Sequence, residues 1–463
     1  MTMFVRSRWL FLRLLGVVYL IAFVSLAVQI TGLVGEHGLL PAASDWSLLA
    51  RAWGGAAVSL LLVSGVAPVA SAAASWALYL SLTIAGEEFL RFQWDGLLLE
   101  TGLLAVLYAP WALRSRLSTD LEPPSAVRWV LWFLAFKLTF LSGVTKILSG
   151  DPTWAAWTAL TYHYETQPIP AWTSWYMHQL PASVHYWSAA GMFAVEVAAP
   201  WLIFAPSRFY RVRALAAVVM IALQVGIAVT GNYGFFNLLT IVLYLALLDD
   251  RTLVWRAPAG GDEPRPGPVD GAAIWHLLTS GVAILIACFS VMTLFREIDL
   301  TRGRPGPLSR AWSAAALGAV APLDSINGYG LFRVMTTERP EIVIEVSADG
   351  SAWTEYEFKW KAGDVKRRPS FVEPHMPRLD WQMWFAALDP AGAQRWLVPL
   401  MRRLLDGDDA VMRLLGPNPL PGRPRCVKLS YYQYHFTSSA ERAATGAWWK
   451  RERRGDLTTA MCR

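Results

Sequence analysis

The sequence predicts an α-helical polytopic membrane protein of about nine spans, some short enough to be re-entrant, with a C-terminal extramembrane domain that is α+β or β-rich. Three observations carry this expectation. Of 463 residues, 54% are hydrophobic and only 16% charged, whereas roughly a quarter of a soluble chain is charged. Apolar runs recur along the first 295 residues and then stop. From residue 296 onward 25 Lys and Arg stand against 19 Asp and Glu, so the whole formal excess of +6 lies there and the remainder is neutral.

The apolar runs cover 12–32, 53–66, 68–86, 97–113, 129–148, 183–205, 212–231, 235–248 and 272–295. A spanning helix needs about 20 residues, so the second and eighth runs are the short ones, candidates for re-entrant or tilted segments. The first run lacks a small-residue cleavage site and is long enough to anchor, which predicts that it is retained. Arg6, Arg8, Arg13, Arg114, Arg116, Arg128, Arg208, Arg211, Arg213, Arg251, Arg256 and Arg265 fall on one side of this alternation, against only Arg51 and Arg91 on the other. The positive-inside rule then predicts a cytoplasmic N-terminus and an extracytoplasmic C-terminus. The segment APAGGDEPRPGP, 257–268, reads as an inner surface loop between the last two spans. The expected division is a transmembrane domain over 1–295 and an extracytoplasmic domain over 296–463.

In the second domain RPEIVIEVSADGSAWTEYEFKWKAG alternates apolar and polar residues around a D-G turn, the pattern of a β-hairpin. LDWQMWFAAL, 379–388, and QRWLVPLMRRLL, 394–405, read as helices, and CVKLSYYQYHFT, 426–437, as a further strand. The terminal WWKRERR reads as a solvated or headgroup-facing tail rather than a nucleic-acid patch. Cys288 lies in the last span, while Cys426 and Cys462 fall where the compartment permits a disulfide; the alternatives are a bridge or two free thiols.

Ionisable residues inside the spans are few: Glu100, Lys137, Lys146 and Glu196, with Asp95 at a helix entrance. A charge in hydrocarbon costs at least ~2.5–3.5 kcal/mol on insertion scales, so such groups face partners or a wet cavity. Structural pairing, for example of Lys137 with Glu100 or Glu196, weighs ahead of catalysis. Lys146, near the outer end of its span, is either a snorkelling anchor or a desolvated amine serving as a base. The outer loop TYHYETQPIPAWTSWYMHQLPASVHYW, 161–187, holds no Lys or Arg and is crowded with rings, which suits the membrane interface. Its His163 and Glu165 are a candidate proton relay, weighed against a hydrogen-bonded brace on the bundle. Asn232 and Asn237 read as satisfying backbone ends at a tight turn or lining a cavity.

For recognition of another protein the strongest segment is HMPRLDWQMWF, where Arg378 and Asp380 stand beside Trp381, Trp384 and Phe385, a mixture enriched at interface hot spots. A buried helix with core aromatics is the competing reading. His spacing offers no metal site, and no G-x-S-x-G, H-E-x-x-H, P-loop or Rossmann pattern occurs, so neither metal nor cofactor nor nucleic acid is expected.

FQWDGLLLETG (92–102), FLSGVTKILSGDPTW (140–154), LTYHYETQPIPAW (160–172), GNYGFFNLLT (231–240), INGYGLFRVMTTERPEI (326–342), PHMPRLDWQMWFAAL (374–388) and YYQYHFTSSAERAATGAWWKRE (431–452) together resemble the lipase maturation factor family. That resemblance implies a polytopic membrane protein whose C-terminal domain lies on the lumenal side, and which in vertebrate relatives assists folding and assembly of dimeric lipases in the endoplasmic reticulum. The Ala-, Arg- and Trp-rich composition suggests a bacterial homologue, placed in the inner membrane, with membrane lipid and a client protein as expected partners. FLSGVTKILSGDPTW is also distantly similar to the region carrying the base in vitamin K-dependent gamma-glutamyl carboxylases. On that alternative the chain is a membrane-embedded enzyme with Lys146 as base.

Overall fold

In the computed structural model, which describes residues 4–118, 120–253, 270–303, 306 and 311–463, the apolar runs become helices. They are α1 (Val5–Ala27), α2 (Asp45–Ser64), α3 (Pro68–Gly86), α4 (Gln93–Tyr108), α5 (Ser125–Leu148), α6 (Ala182–Phe193), α7 (Tyr210–Thr230), α8 (Phe236–Leu245) and α9 (Asp270–Arg302). Among the described residues seven helical stretches are long and apolar enough to cross a membrane: α1, α2, α3 prolonged to Leu90, α5, α6 prolonged to Phe204, Ser207–Thr230 and Ile274–Arg302.

The run expected to be short at 53–66 is part of a full 20-residue helix, because α2 begins at Asp45 with the Ser44 side chain accepting the Ser47 N–H. Its first turns are too polar to register as an apolar run. With α6 prolonged to Phe204, the short helices are α4, with 16 residues, and α8, with 10. α4 is buried along almost its whole length, including Leu97, Leu98, Leu99, Glu100 and Thr101. A helix sheathed by protein satisfies its backbone without spanning hydrocarbon. α9 runs on through residue 295 to Arg302, and a further apolar helix, Ala311–Val320, lies where the runs were expected to have ended. The 257–268 loop lies outside the described residues.

The two ends of the bundle differ. At one end the backbone N–H groups of Val5, Arg6 and Ser7 donate to the Asp250 carboxylate, Arg8 reaches the Leu121 carbonyl and Asp120, and Arg213 reaches the Leu247 carbonyl. At the other, Ser25 meets His375, and Gln29 donates to the Met376 carbonyl and accepts from the Arg378 N–H, so the C-terminal domain packs against the far end of α1.

That domain is built on an antiparallel sheet of β1 (Pro340–Ser347), β2 (Thr354–Tyr356), β3 (Cys426–Phe436), β4 (Trp449–Asp456) and β5 (Met461–Cys462), in the order β2-β1-β3-β4 with β5 pairing β3. β1 is buried throughout, as a strand covered on both faces must be. The WWKRERR stretch is not a free tail: β4 pairs β3 from Phe436↔Trp449 to Ser430↔Asp456. Cys426 and Cys462 are register partners and are disulfide-bonded. Two expected helices form, α10 (Arg378–Leu388) and α11 (Gln394–Asp406).

Candidate functional site

α5 has to pass closely by the chain that prolongs α6. A Cβ on Gly143 would come within 2.7 Å of the Val197 side chain and 2.9 Å of the Glu196 Cβ, so only glycine permits this approach. Opposite it the chain forms a single π-helical turn, Ala194–Ala198, a distortion frequent at functional sites. This turn carries Glu196 onto Lys146, one turn beyond Gly143, with Nζ 2.9 and 2.8 Å from the two carboxylate oxygens. Trp154 lies against the same ammonium, 5.3 Å from Nζ to the ring centroid.

The pair borders a cavity of about 350 Å³ enclosed by α5, α6, α7, α8 and the outer segments around Leu160–Tyr164 and Leu331–Phe332. Its walls are mostly apolar. Its polar groups include Lys146, Glu196, His163, Tyr233, Asn237 and the hydrogen-bonded Thr139–Tyr244 pair, 2.6 Å apart. Tyr233 donates to Gln167 Oε1 at 2.8 Å. Since its single proton is committed there, the 3.2 Å contact with His163 requires Nε2–H to donate to the Tyr233 oxygen. Burial, aided by Lys146, pushes the His163 imidazole down to about 4, so it is neutral with Nδ1 as an acceptor.

A second ion pair, Lys137 Nζ to Glu100 Oε1 at 2.6 Å, lies fully inside the bundle. The other Glu100 oxygen accepts from the Tyr329 hydroxyl at 2.7 Å and the Asn327 N–H at 3.1 Å. A third joins the two parts of the chain: Arg378 at the start of α10 and Asp95 in the first turn of α4, with Tyr79 donating to Asp95 Oδ1. Asn232 works at the same junction, donating to the Ile169 and Ser370 carbonyls and accepting from the Val372 N–H.

The lipase maturation factor transmembrane domain model matches residues 6–51 and 43–255, and the lipase maturation factor C-terminal domain model matches residues 325–459. The chain belongs to the lipase maturation factor family. Lipase maturation factor 2 from Homo sapiens is 34% identical to it over 96% of this chain and 81% of its own length. Lipase maturation factor 1 from Mus musculus is 31% identical over 97% of this chain and 86% of its own length. No solved structure matches the chain.

Several residues singled out in this lipase maturation factor homologue stand elsewhere than the sequence suggested. His163 and Glu165 form no relay, because residues two apart on the short helix Leu160–Thr166 do not share a face. Glu165 turns instead to the C-terminal domain, meeting His435 Nδ1 at 2.9 Å and the Phe436 N–H at 2.7 Å. The surface expected to meet another protein is an internal junction. Arg378, Asp380, Trp381 and Trp384 are at most 7% exposed; Asp380 accepts the Trp360 and Lys361 N–H groups, and Trp384 donates to the Thr166 carbonyl. The longest apolar residues of that segment pack on the bundle, and only Phe385, 43% exposed, faces outward. Lys146 is paired rather than snorkelling. Sequence reasoning missed Arg339, which donates to the Glu165, Gln167 and Pro168 carbonyls and thereby fastens the outer loop to the sheet. Its place directly before β1 gave no signal of that.

Proposed function

We propose that this chain is a membrane-held maturation factor whose C-terminal domain assists folding of an exported client, a lipase or related secreted protein, on the extracytoplasmic side. Family membership along both parts of the chain is the observation that carries the reading. The Arg378–Asp95 junction adds to it, because a domain clamped to the bundle is a fixed platform. The distribution of basic residues supports an N-terminus inside and the platform outside. The test is to co-express an exported lipase with and without the chain. Active lipase should fall when the chain is absent while lipase polypeptide is unchanged; equal specific activity in both strains would remove the proposal.

A second reading, an enzyme acting at the intramembrane cavity, is favoured by one observation, the π turn that brings Glu196 to Lys146 beside a neutral His163. On that reading Lys146 must be released from Glu196 to act as a base. The committed pair makes this the weaker of the two.

A further inference from the structure

The cavity beside Lys146 has a mouth between α6 and α7, in stretches long and apolar enough to cross a membrane. Ser188 on α6 and Ala222 and Gly226 on α7 line the cavity and are themselves exposed, so the opening lies sideways between two membrane-crossing stretches. α7 packs on the chain that prolongs α6, Ala194–Phe204, which closes the cleft at one end and leaves it open along the Ala182–Phe193 half. What enters through such an opening is what dissolves in the bilayer.

The lining is graded along the bundle. Leu138, Thr139, Thr240 and Tyr244 lie at the deep end, and His163, Tyr233 and Asn237 at the end nearest the C-terminal domain. The charge is balanced: the Lys146 ammonium is held by both oxygens of Glu196, so no free cation awaits an anionic headgroup. Three of the lining side chains carry a buried atom without a partner among the described residues, His163 Nδ1, Gln224 Oε1 and Asn237 Oδ1. All three are acceptors. The His163 tautomer follows from its donation to Tyr233, and the Asn237 amide nitrogen points to Glu373 Oε1 at 3.4 Å. A buried acceptor left unmet costs about 1–3 kcal/mol, so the complementary ligand brings hydrogen-bond donors without charge. At about 350 Å³ the space is at the small end of ligand sites and suits one chain rather than two.

From this we infer that the cavity between α5, α6, α7 and α8 binds a single-chain neutral lipid bearing hydroxyl groups, of the monoacylglycerol class, with its hydroxyls at His163 and Asn237 and its chain between α6 and α7. The inference is independent of whether the protein assists a client.

The full-length protein in nanodiscs of phosphatidylcholine is exposed to a monoacylglycerol carrying a diazirine in its chain, irradiated, digested and mapped by mass spectrometry. Cross-links should fall on α6 between Ser188 and Met192 and on α7 between Ala222 and Thr230. Unlabelled monoacylglycerol should compete, and phosphatidylglycerol or a fatty acid at neutral pH should not. Gly226→Leu places a side chain at the mouth, where a Cβ has no atom within 4 Å, and so closes the opening without crowding the fold. It should reduce labelling at least tenfold at an unchanged melting temperature, and Ala222→Phe should do the same. Asn237→Leu should weaken competition by monoacylglycerol while leaving a fatty acyl methyl ester, which lacks the hydroxyls, no worse a competitor. Cross-links spread over all lipid-facing helices in the wild-type protein would overturn the site, whatever the variants do. Equal competition by phosphatidylglycerol would overturn the neutral-head assignment.

Discussion

Arg378 and Asp95, 283 positions apart, form a fully buried two-point pair, with Nη1–Oδ2 and Nη2–Oδ1 both 2.7 Å. The guanidinium also donates to the Phe89 carbonyl at 2.8 Å, so it closes the turn between α3 and α4 while it holds α10. Removing water from both charges is costly, and only such complete hydrogen bonding offsets the cost. The segment that reads as a recognition surface is therefore the clamp between the sheet domain and the bundle.

Breaking the clamp should remove the protein rather than its interactions. Arg378→Ala leaves Asp95 buried without its counter-ion, a loss of about 3–5 kcal/mol. Membrane abundance and melting temperature in detergent should both fall. An Arg378→Ala protein of normal abundance and melting temperature would show that the pair is not structural.

Lys137 and Glu100 should behave alike but unequally. Glu100 keeps the Tyr329 hydroxyl and the Asn327 N–H when Lys137 is lost, whereas Lys137 keeps a long 3.5 Å contact with Ser290 and the face of the Tyr329 ring, 5.3 Å from its centroid, when Glu100 is lost. Glu100→Leu should therefore lower the melting temperature more than Lys137→Met. The double substitution Lys137→Met with Glu100→Gln should recover most of the loss, because a neutral amide still accepts from Tyr329. Additive losses in the double variant would contradict the pairing.

Composition and hydropathy made the helices and their alternation legible, and the D-G turn made β1–β2 legible, because these depend on patterns within one segment. The partners of the ionisable residues were only partly so. The cost of burying charge marks Lys137 as needing a partner, while Lys146 reads as a snorkelling anchor or a desolvated base. That Glu100 meets one and Glu196 the other depends on which helices become neighbours and on a π turn at Ala194–Ala198. Amphipathic rings misled at 378–388, since Trp381 and Trp384 suit a protein surface and an internal junction equally. WWKRERR misled because charges on an edge strand look like charges on a tail.

Stability should fall on both sides of a mid-range pH, for opposite reasons. Burial pushes the Glu373 carboxyl up to about 7 from 4.5, and the Tyr233 N–H and the Asn237 amide pull it back only in part. A folded value above the unfolded one means that this stabilisation is complete below 4.5 and is lost as pH rises through 7. His163 and His375 are pushed down to about 4 from 6.5, so theirs is present above 6.5 and lost as pH falls through 4. Glu373→Gln should flatten the alkaline limb of a melting-temperature profile and leave the acid limb in place. An unchanged alkaline limb would place that titration elsewhere.

The disulfide offers a chemical count. Alkylation of denatured protein without reductant should modify one thiol, Cys288, and after reduction three. Bridging residues 36 apart in sequence constrains the unfolded chain by roughly 3–4 kcal/mol on the entropy model, so reductant should lower the melting temperature of the sheet domain. A reporter active only outside the cytoplasm, fused after Arg463, should work in the same cells. Three reactive thiols before reduction, or a silent reporter, would argue for a cytoplasmic sheet domain.

Lys146 separates the two functional readings. Lys146→Met strands Glu196 in the bundle and should reduce abundance by the cost of an unpaired buried carboxylate, about 3–5 kcal/mol of stability. Its inactivity alone would therefore say nothing about chemistry. Lys146→Met with Glu196→Gln removes both charges together and should restore abundance. Lys146→Arg keeps a cation that holds both Glu196 oxygens, with the adjoining cavity giving room for the larger head, but an arginine cannot serve as a base near neutral pH. If the chain assists a client, the Arg variant and the neutral double variant should both support lipase maturation at near wild-type levels, because each preserves the packing of α5 on the π turn. If the cavity performs catalysis, both should be abundant and inactive. The expected result is activity in both, and abundant but inactive protein in both would replace the maturation reading with the enzymatic one.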